Sequence, residues 1–194
     1  MTEALFLLGF VTAQRAAELV WAERNSVRLC QAGAVEFGRS QYRVLVAVHG
    51  FWLGGLWLLG PGQPVNISFL AIFLILQAGR IWVLATLGRR WTTRVIVLPG
   101  VPLIRQGPYR WVSHPNYIIV AGELAVVPLA LGLPLFALLF FLLNAAVLAA
   151  RIRIENAALR WSEKRFAAMA GARTRSCRME QTAVPMSADF KSVD

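Results

Sequence analysis

Charged side chains are scarce in this sequence: Asp, Glu, Lys and Arg together make 15% of its 194 residues, against about 25% in soluble domains. Acidic residues are scarcer still, 10 against 20 Lys and Arg, which leaves a net charge of +10. Low charge combined with 57% apolar residues excludes a disordered chain, which needs the opposite balance. With 2 cysteines a disulfide scaffold is excluded. Neither Cys30 nor Cys177 has a His or Cys neighbour at metal-ligand spacing, so no structural zinc is expected. No internal repeat is visible, which argues against a transporter built from inverted halves.

What the chain has in abundance is hydrocarbon. A mean hydropathy of +0.56 is more apolar surface than 194 residues can hide in a water-soluble fold. The remaining class is an all-α integral membrane protein. Its basic residues lie in the gaps between apolar runs rather than on one stripe, so nucleic acid is not an expected partner.

Read with charges as punctuation, the chain yields five spans: Ala4–Trp21, Val44–Gly60, Val65–Leu87, Pro115–Leu131 and Pro134–Ala150. Each is near the ~20 residues that cross a bilayer. Pro61-Gly62-Gln63-Pro64 and Gly132–Pro134 predict tight turns between the second and third and between the fourth and fifth spans. The first run lacks a basic start and contains Arg15 and Glu18, unlike a signal peptide. Outside the spans, the Arg and Lys lie in segment 22–43, segment 88–114 and the residues after Ala150, and the two turns hold none. That alternation predicts an amino terminus outside and a cytoplasmic carboxyl terminus. Residues 1–170 are expected to form one membrane-embedded domain, and 171–194 an irregular tail.

Polar residues within the spans fall at one depth. At about 1.5 Å per residue, Arg80, Glu123, Asn144 and His49 lie roughly 9–12 Å from the basic ends of their helices, and Gln77 about 15 Å. Arg15 and Glu18 are three apart and share a face. Snorkelling to the headgroups would account for the two arginines but not for the short Glu123. A polar cavity opening toward the basic side is expected, with Arg80, Glu123 and Asn144 as its buried polar groups.

Segment 88–114 is too long for an idle connector. Its Pro and Gly residues fix a path, and Pro115 suits the first turn of the next helix, which places His114 at a helix amino terminus where anions bind. Arg151 and Glu155 are four apart on one face. They provide a cation for a carboxylate and an anion for hydroxyls or an ammonium.

Gly107-Pro108-Tyr109, His114-Pro115-Asn116-Tyr117, and Arg151 followed by Glu155 and Leu159 resemble the isoprenylcysteine carboxyl methyltransferase family. Ala22–Asn25, Gly33–Gly38 and Leu87–Trp91 are similar to its small bacterial branch, which includes alkylpyrone O-methyltransferases. The resemblance covers about residues 14–160. Ser113, Asn156 and the tail depart from the family pattern.

The resemblance implies a bundle of about five transmembrane helices, a long cytoplasmic cofactor-binding loop and a cytoplasmic carboxyl-terminal helix. It implies S-adenosylmethionine as cofactor, bound by Leu103, Ile104, Gly107, Tyr109, His114 and Tyr117 with help from Glu155. It implies Arg151 as the residue that orients the acceptor, a lipophilic small molecule or lipidated group drawn from membrane lipid. A carboxylate or acidic enol acceptor is ionised at neutral pH and needs no strong base. A phospholipid N-methyltransferase is the alternative enzyme, with Glu123 or Glu155 as base, and a small membrane scaffold or channel the non-enzymatic one. Oligomeric state is left open by Gly54-Gly55, which permits close helix contact.

Overall fold

The computed structural model of the chain describes the backbone of residues 2–182 except Gly100 and Leu103, and side chains of residues 2–165 with the same exceptions. Five helices carry the fold: α1 (Thr2–Gln31), α2 (Arg39–Leu59), α3 (Ile67–Leu87), α4 (Pro115–Ala130) and α5 (Pro134–Thr182). Of these, α1, α2, α3 and α5 are long and apolar enough to cross a membrane. The 16 residues of α4 span about 24 Å, a little less than the hydrocarbon core.

Local chemistry sets the helix ends. Asn66 caps α3, its side chain accepting from the backbone N–H of Ser68 (3.0 Å) and Phe69 (3.4 Å). Pro115 occupies the first turn of α4 with His114 at the N-cap, as expected. Pro128, then Gly132, end α4, and Pro134 begins α5. The two expected tight turns meet at one end of the bundle, where the Asn66 N–H donates to Ala130 O (2.8 Å).

The basic segments meet at the opposite end, hereafter the basic end. Strand β1 (Val35–Phe37) pairs antiparallel with β2 (Val95–Val97), Val35 opposite Val97. Asn25 of α1 reaches the same region, its Nδ2 donating to Trp91 O (2.9 Å) and Gly88 O (3.3 Å). The apolar core fills the turn end with Leu8, Val11, Trp52, Leu56, Leu124 and Val127. Gly55 lets α2 press against α5; a Cβ there would come within 2.6 Å of Phe136. The small residue expected to permit helix contact therefore serves a contact inside the chain.

Three expectations are corrected. First, α1 continues to Gln31, so the first part of segment 22–43 is helix. Residues such as Ala22, Glu23, Arg24 and Arg28 favour helix and carry it beyond the hydrocarbon. Second, α5 passes Ala150 without a break, so the last span and the helix after it are one element. Its backbone is described up to Thr182; residues 183–194 of the expected tail lie outside the described residues. Third, segment 88–114 is not structureless: it contains β2 and two 3₁₀ turns, Gly88–Arg90 and Gly107–Arg110.

Candidate active site

A cavity of about 990 Å³ runs from the basic end into the bundle, walled by residues of α1, α2, α3, segment 88–114, α4 and α5. Of the sequence-predicted residues, Ile104, Tyr109, His114, Tyr117, Arg151, Glu155 and Arg80 line it. Leu103 lies outside the described residues. Glu123, Asn144 and Gly107 are not on its wall.

The basic end of the cavity is organised around Tyr117. Arg151 Nε donates to the Tyr117 hydroxyl (2.8 Å), and that hydroxyl donates to Glu155 Oε2. Arg151 Nη2 donates to Thr93 O (2.6 Å), which ties α5 to the segment before β2. Arg151 is 5% exposed, and its Nη1 has no protein partner among the described residues. His114 stacks on Tyr117 with ring centroids 5.2 Å apart and planes at 6°. His114 Nδ1 lies 3.7 Å from Glu155 Oε1. Burial, and secondly the Glu155 carboxylate, push the Tyr109 phenol above its ordinary value.

Gly107 acts from behind the wall. It has φ +56, in the left-handed region, and a Cβ there would come within 2.4 Å of Thr86 Oγ1. Only glycine lets the loop lie against α3 at this point. Its place is therefore to seat the turn that carries Tyr109 rather than to form the wall.

The deep end is a closed charge network. Arg80 donates from Nε to Glu123 Oε1 (2.9 Å), from Nη2 to Glu123 Oε2, and from Nη1 to Glu18 Oε2 (3.0 Å). Arg15 donates to Glu18 Oε2 (3.1 Å) and Glu123 Oε2 (2.5 Å). Gln77 donates to Glu123 Oε1 (2.8 Å), and Gln14 to Glu18 Oε1 (3.0 Å) and Gln77 Oε1 (2.6 Å). Two guanidiniums balance two carboxylates, so the network is neutral as a whole. Tyr117 and Glu123 are six residues apart on α4, which puts the network about 9 Å below the Tyr117 relay along that helix.

This overturns snorkelling for the arginines. Arg80 is 2% exposed, and both arginines spend their donors on carboxylates instead of headgroups. The common depth read from the sequence is real, and Arg15 and Glu18 do pair. Glu123 supports the floor of the cavity from beneath. Asn144 is fully buried, and neither its Nδ2 nor its Oδ1 has a partner. It shares the face of α5 that carries Leu148, Arg151 and Glu155, but it lies one turn beyond Leu148, off the cavity wall.

Several wall residues were not singled out from the sequence. Tyr42 lines the cavity and its hydroxyl lies 3.1 Å from Thr93 Oγ1. Trp91 Nε1, Arg94 Nε and Asn116 Oδ1 are buried without partners, and all three residues line the cavity. Asn25, Trp91 and Asn116 stand inside motif stretches that could have flagged them. Nothing around Tyr42 and Thr93 could have done so, because their proximity depends on the pairing of β1 with β2.

The family model for the isoprenylcysteine carboxyl methyltransferase (ICMT) family matches residues 69–161. The uncharacterized protein YpbQ of Bacillus subtilis is 37% identical over 158 residues, covering 79% of this chain and 94% of the relative. An uncharacterized protein of Haemophilus influenzae is 27% identical over 150 residues, covering 70% of this chain and 83% of its own length. No solved structure matches.

Proposed function

Because the chain belongs to the isoprenylcysteine carboxyl methyltransferase family, whose members are membrane methyltransferases, we propose that it transfers a methyl group from S-adenosylmethionine to a carboxylate or acidic enol oxygen of a lipophilic acceptor. The observation that carries this reading is the Arg151–Tyr117–Glu155 relay at the mouth of a cavity that continues into the bundle. On this reading the basic end faces the cytoplasm.

The residues present fit the cofactor. The orphaned Trp91 Nε1, Arg94 Nε and Asn116 Oδ1 on the wall call for polar partners. Ile104, Tyr109, His114 and Tyr117 give one stretch of wall the mixed apolar and polar character of a small-molecule site, and the Glu155 carboxylate suits a cationic ligand. When bound, S-adenosylmethionine supplies an electrophilic methyl on a sulfonium.

The chain's own part is placement. Arg151 is held on two sides, by Tyr117 and by Thr93 O, and lines the cavity with no protein partner for Nη1 among the described residues. An oxyanion there would be oriented by one charge-assisted hydrogen bond. A carboxylate or enolate arrives deprotonated, so the site needs no base of its own.

Calorimetry of S-adenosylmethionine binding to detergent-solubilised protein tests the reading, followed by acceptor profiling. Saturable binding that weakens in His114→Ala is expected. Arg151→Ala is expected to lower turnover more than cofactor affinity. Folded protein that binds no cofactor would overturn the reading, and methylation confined to amine acceptors would replace it with the phospholipid one.

A further inference from the structure

The chain has 2 histidines. His114 stacks on Tyr117 at the relay; His49 takes part in neither the relay nor the charge network, yet it lines the same cavity from α2. Its depth follows from its neighbour on the helix. Trp52 reaches across to α4, its Nε1 donating to Leu124 O (3.2 Å). His49 is three residues nearer the basic end, about 4.5 Å. The same rise on α4 leads from Leu124 to Ala121, beside the wall residue Val120. His49 therefore stands about 6 Å, or one turn, below Tyr117 and above the level of Glu123.

The backbone decides which edge of the ring is free. His49 Nδ1 lies 2.9 Å from Leu45 O, one turn back on the same helix. A carbonyl oxygen can only accept, so Nδ1 carries a proton and donates it. No carboxylate pairs with His49 among the described residues, and Glu18 and Glu123 are taken by Arg15 and Arg80. An imidazole with no anion to hold its charge is neutral at pH 7, the ordinary value being about 6.5. Nε2 then bears a lone pair. It has no protein partner among the described residues and keeps accessible surface. The wall thus offers a hydrogen-bond acceptor of fixed tautomer, one turn deeper than Arg151 and its phenol.

We propose that His49 is a specificity-determining residue: its Nε2 accepts a hydrogen bond from an O–H or N–H that the acceptor's head group carries across from its reacting oxyanion. The proposal rests on the methyltransferase reading, which puts that oxyanion at Arg151. The groups which that reading leaves to the cofactor, among them Trp91, Arg94, Asn116 and His114, stand at the basic end, so a ligand group deeper than Arg151 belongs to the acceptor. One helical turn of depth is spanned by a six-membered ring with substituents at opposite ends. The acceptor class narrows accordingly, to an ionised ring acid or enol that also bears a free hydroxyl or ring N–H on its far side. A head with nothing to donate there leaves Nε2 unpaired inside a filled cavity, and binding loses that bond. His49 moves no proton in this role; the O–H stays on the acceptor.

The test uses the full chain in lipid nanodiscs and two acceptors. One is a long-chain alkyl dihydroxybenzoate with a hydroxyl para to the carboxylate; the other is the same molecule without the para hydroxyl. The KM of the first is expected to be about ten-fold below that of the second. The ratio is expected to fall to about one in His49→Phe, and to return in His49→Gln, whose amide oxygen again accepts. A second measurement needs no turnover. Histidine labelled with nitrogen-15 gives two rings, told apart by His49→Gln. The His49 Nε2 resonance is expected to be that of an unprotonated nitrogen, to shift with the para-hydroxy acceptor and to stay in place with the analogue. A ratio near one in the parent, or a ratio that survives His49→Phe, would overturn the assignment. So would a protonated Nε2, or a resonance that answers both acceptors alike. A shift with the para-hydroxy acceptor alone, in a protein that binds no S-adenosylmethionine, would keep the contact and sink the methyltransferase reading.

Discussion

Arg151 and Glu155 stand one turn apart on α5, yet they are joined through Tyr117 of α4 rather than directly. A direct pair at this spacing would contribute only about 0.2–0.5 kcal/mol. The inserted phenol does more. It cross-links α4 to α5 and separates the carboxylate from the guanidinium, which leaves Glu155 an anion 3.7 Å from His114 Nδ1.

Tyr117→Phe removes both hydrogen bonds and keeps the ring that His114 stacks on. An unpaired buried polar group costs about 1–3 kcal/mol. Turnover per acceptor is expected to fall roughly 10- to 100-fold, while the variant melts within a few degrees of the parent. Steady-state kinetics on a hydroxypyrone acceptor checks it. Unchanged kcat/KM would show that Arg151 does not need the phenol to hold its aim.

The network below is an element of stability. Glu123→Ala leaves Arg80 buried with only Glu18 beside it, and removing one partner of a buried pair costs about 3–5 kcal/mol. A marked drop in detergent melting temperature is expected. Arg80→Leu combined with Glu123→Leu leaves Arg15 and Glu18 balanced, so the double variant is expected to lose less than the sum of its single changes. An additive double-mutant cycle would mean that the pair does not act as a unit.

Much of this was legible in the sequence, for physical reasons. Hydrocarbon thickness limits where charges can stand, so the spans and the common depth of Arg80, Glu123 and Arg15 could be read from spacing. Pro115 marks the start of α4 and places His114 at its cap. What spacing does not carry is the contact between distant segments. Strands of three residues are too short for a period, so the Val35–Val97 register and the meeting of Tyr42 with Thr93 were invisible. How far the cavity reaches along a helix face was equally hidden. Asn144 shares the face of Leu148, Arg151 and Glu155 but lies off the cavity wall, and Tyr117, read from the sequence as a cofactor contact, is a bridge between Arg151 and Glu155 in the structure.

Tyr109 gives the protein an alkaline limit. Burial, then Glu155, keep its phenol protonated above the ordinary value of 10.0. The folded chain thus holds a proton that the unfolded chain releases. The contribution to stability is complete below the unfolded pKa and is lost as pH rises through the folded one. Melting temperature followed from about pH 8 to about pH 11 is expected to fall more steeply in the parent than in Tyr109→Phe. Parallel curves would show that the loop releases Tyr109 to solvent before it ionises.

Gly107→Ala probes how the loop is seated. The left-handed conformation costs an L-residue about 1–2 kcal/mol, and the new Cβ would also press on Thr86 Oγ1 at 2.4 Å and Cγ2 at 3.1 Å. Because this turn carries Tyr109, S-adenosylmethionine affinity is expected to fall at least about ten-fold. Adding Thr86→Ala removes both clashing atoms and leaves only the Cβ at 3.3 Å, so the double variant is expected to recover part of the loss and keep the part due to φ. Full recovery would assign the defect to the clash alone. Normal cofactor binding in Gly107→Ala would mean that the turn can move away from α3 without disturbing the wall it carries.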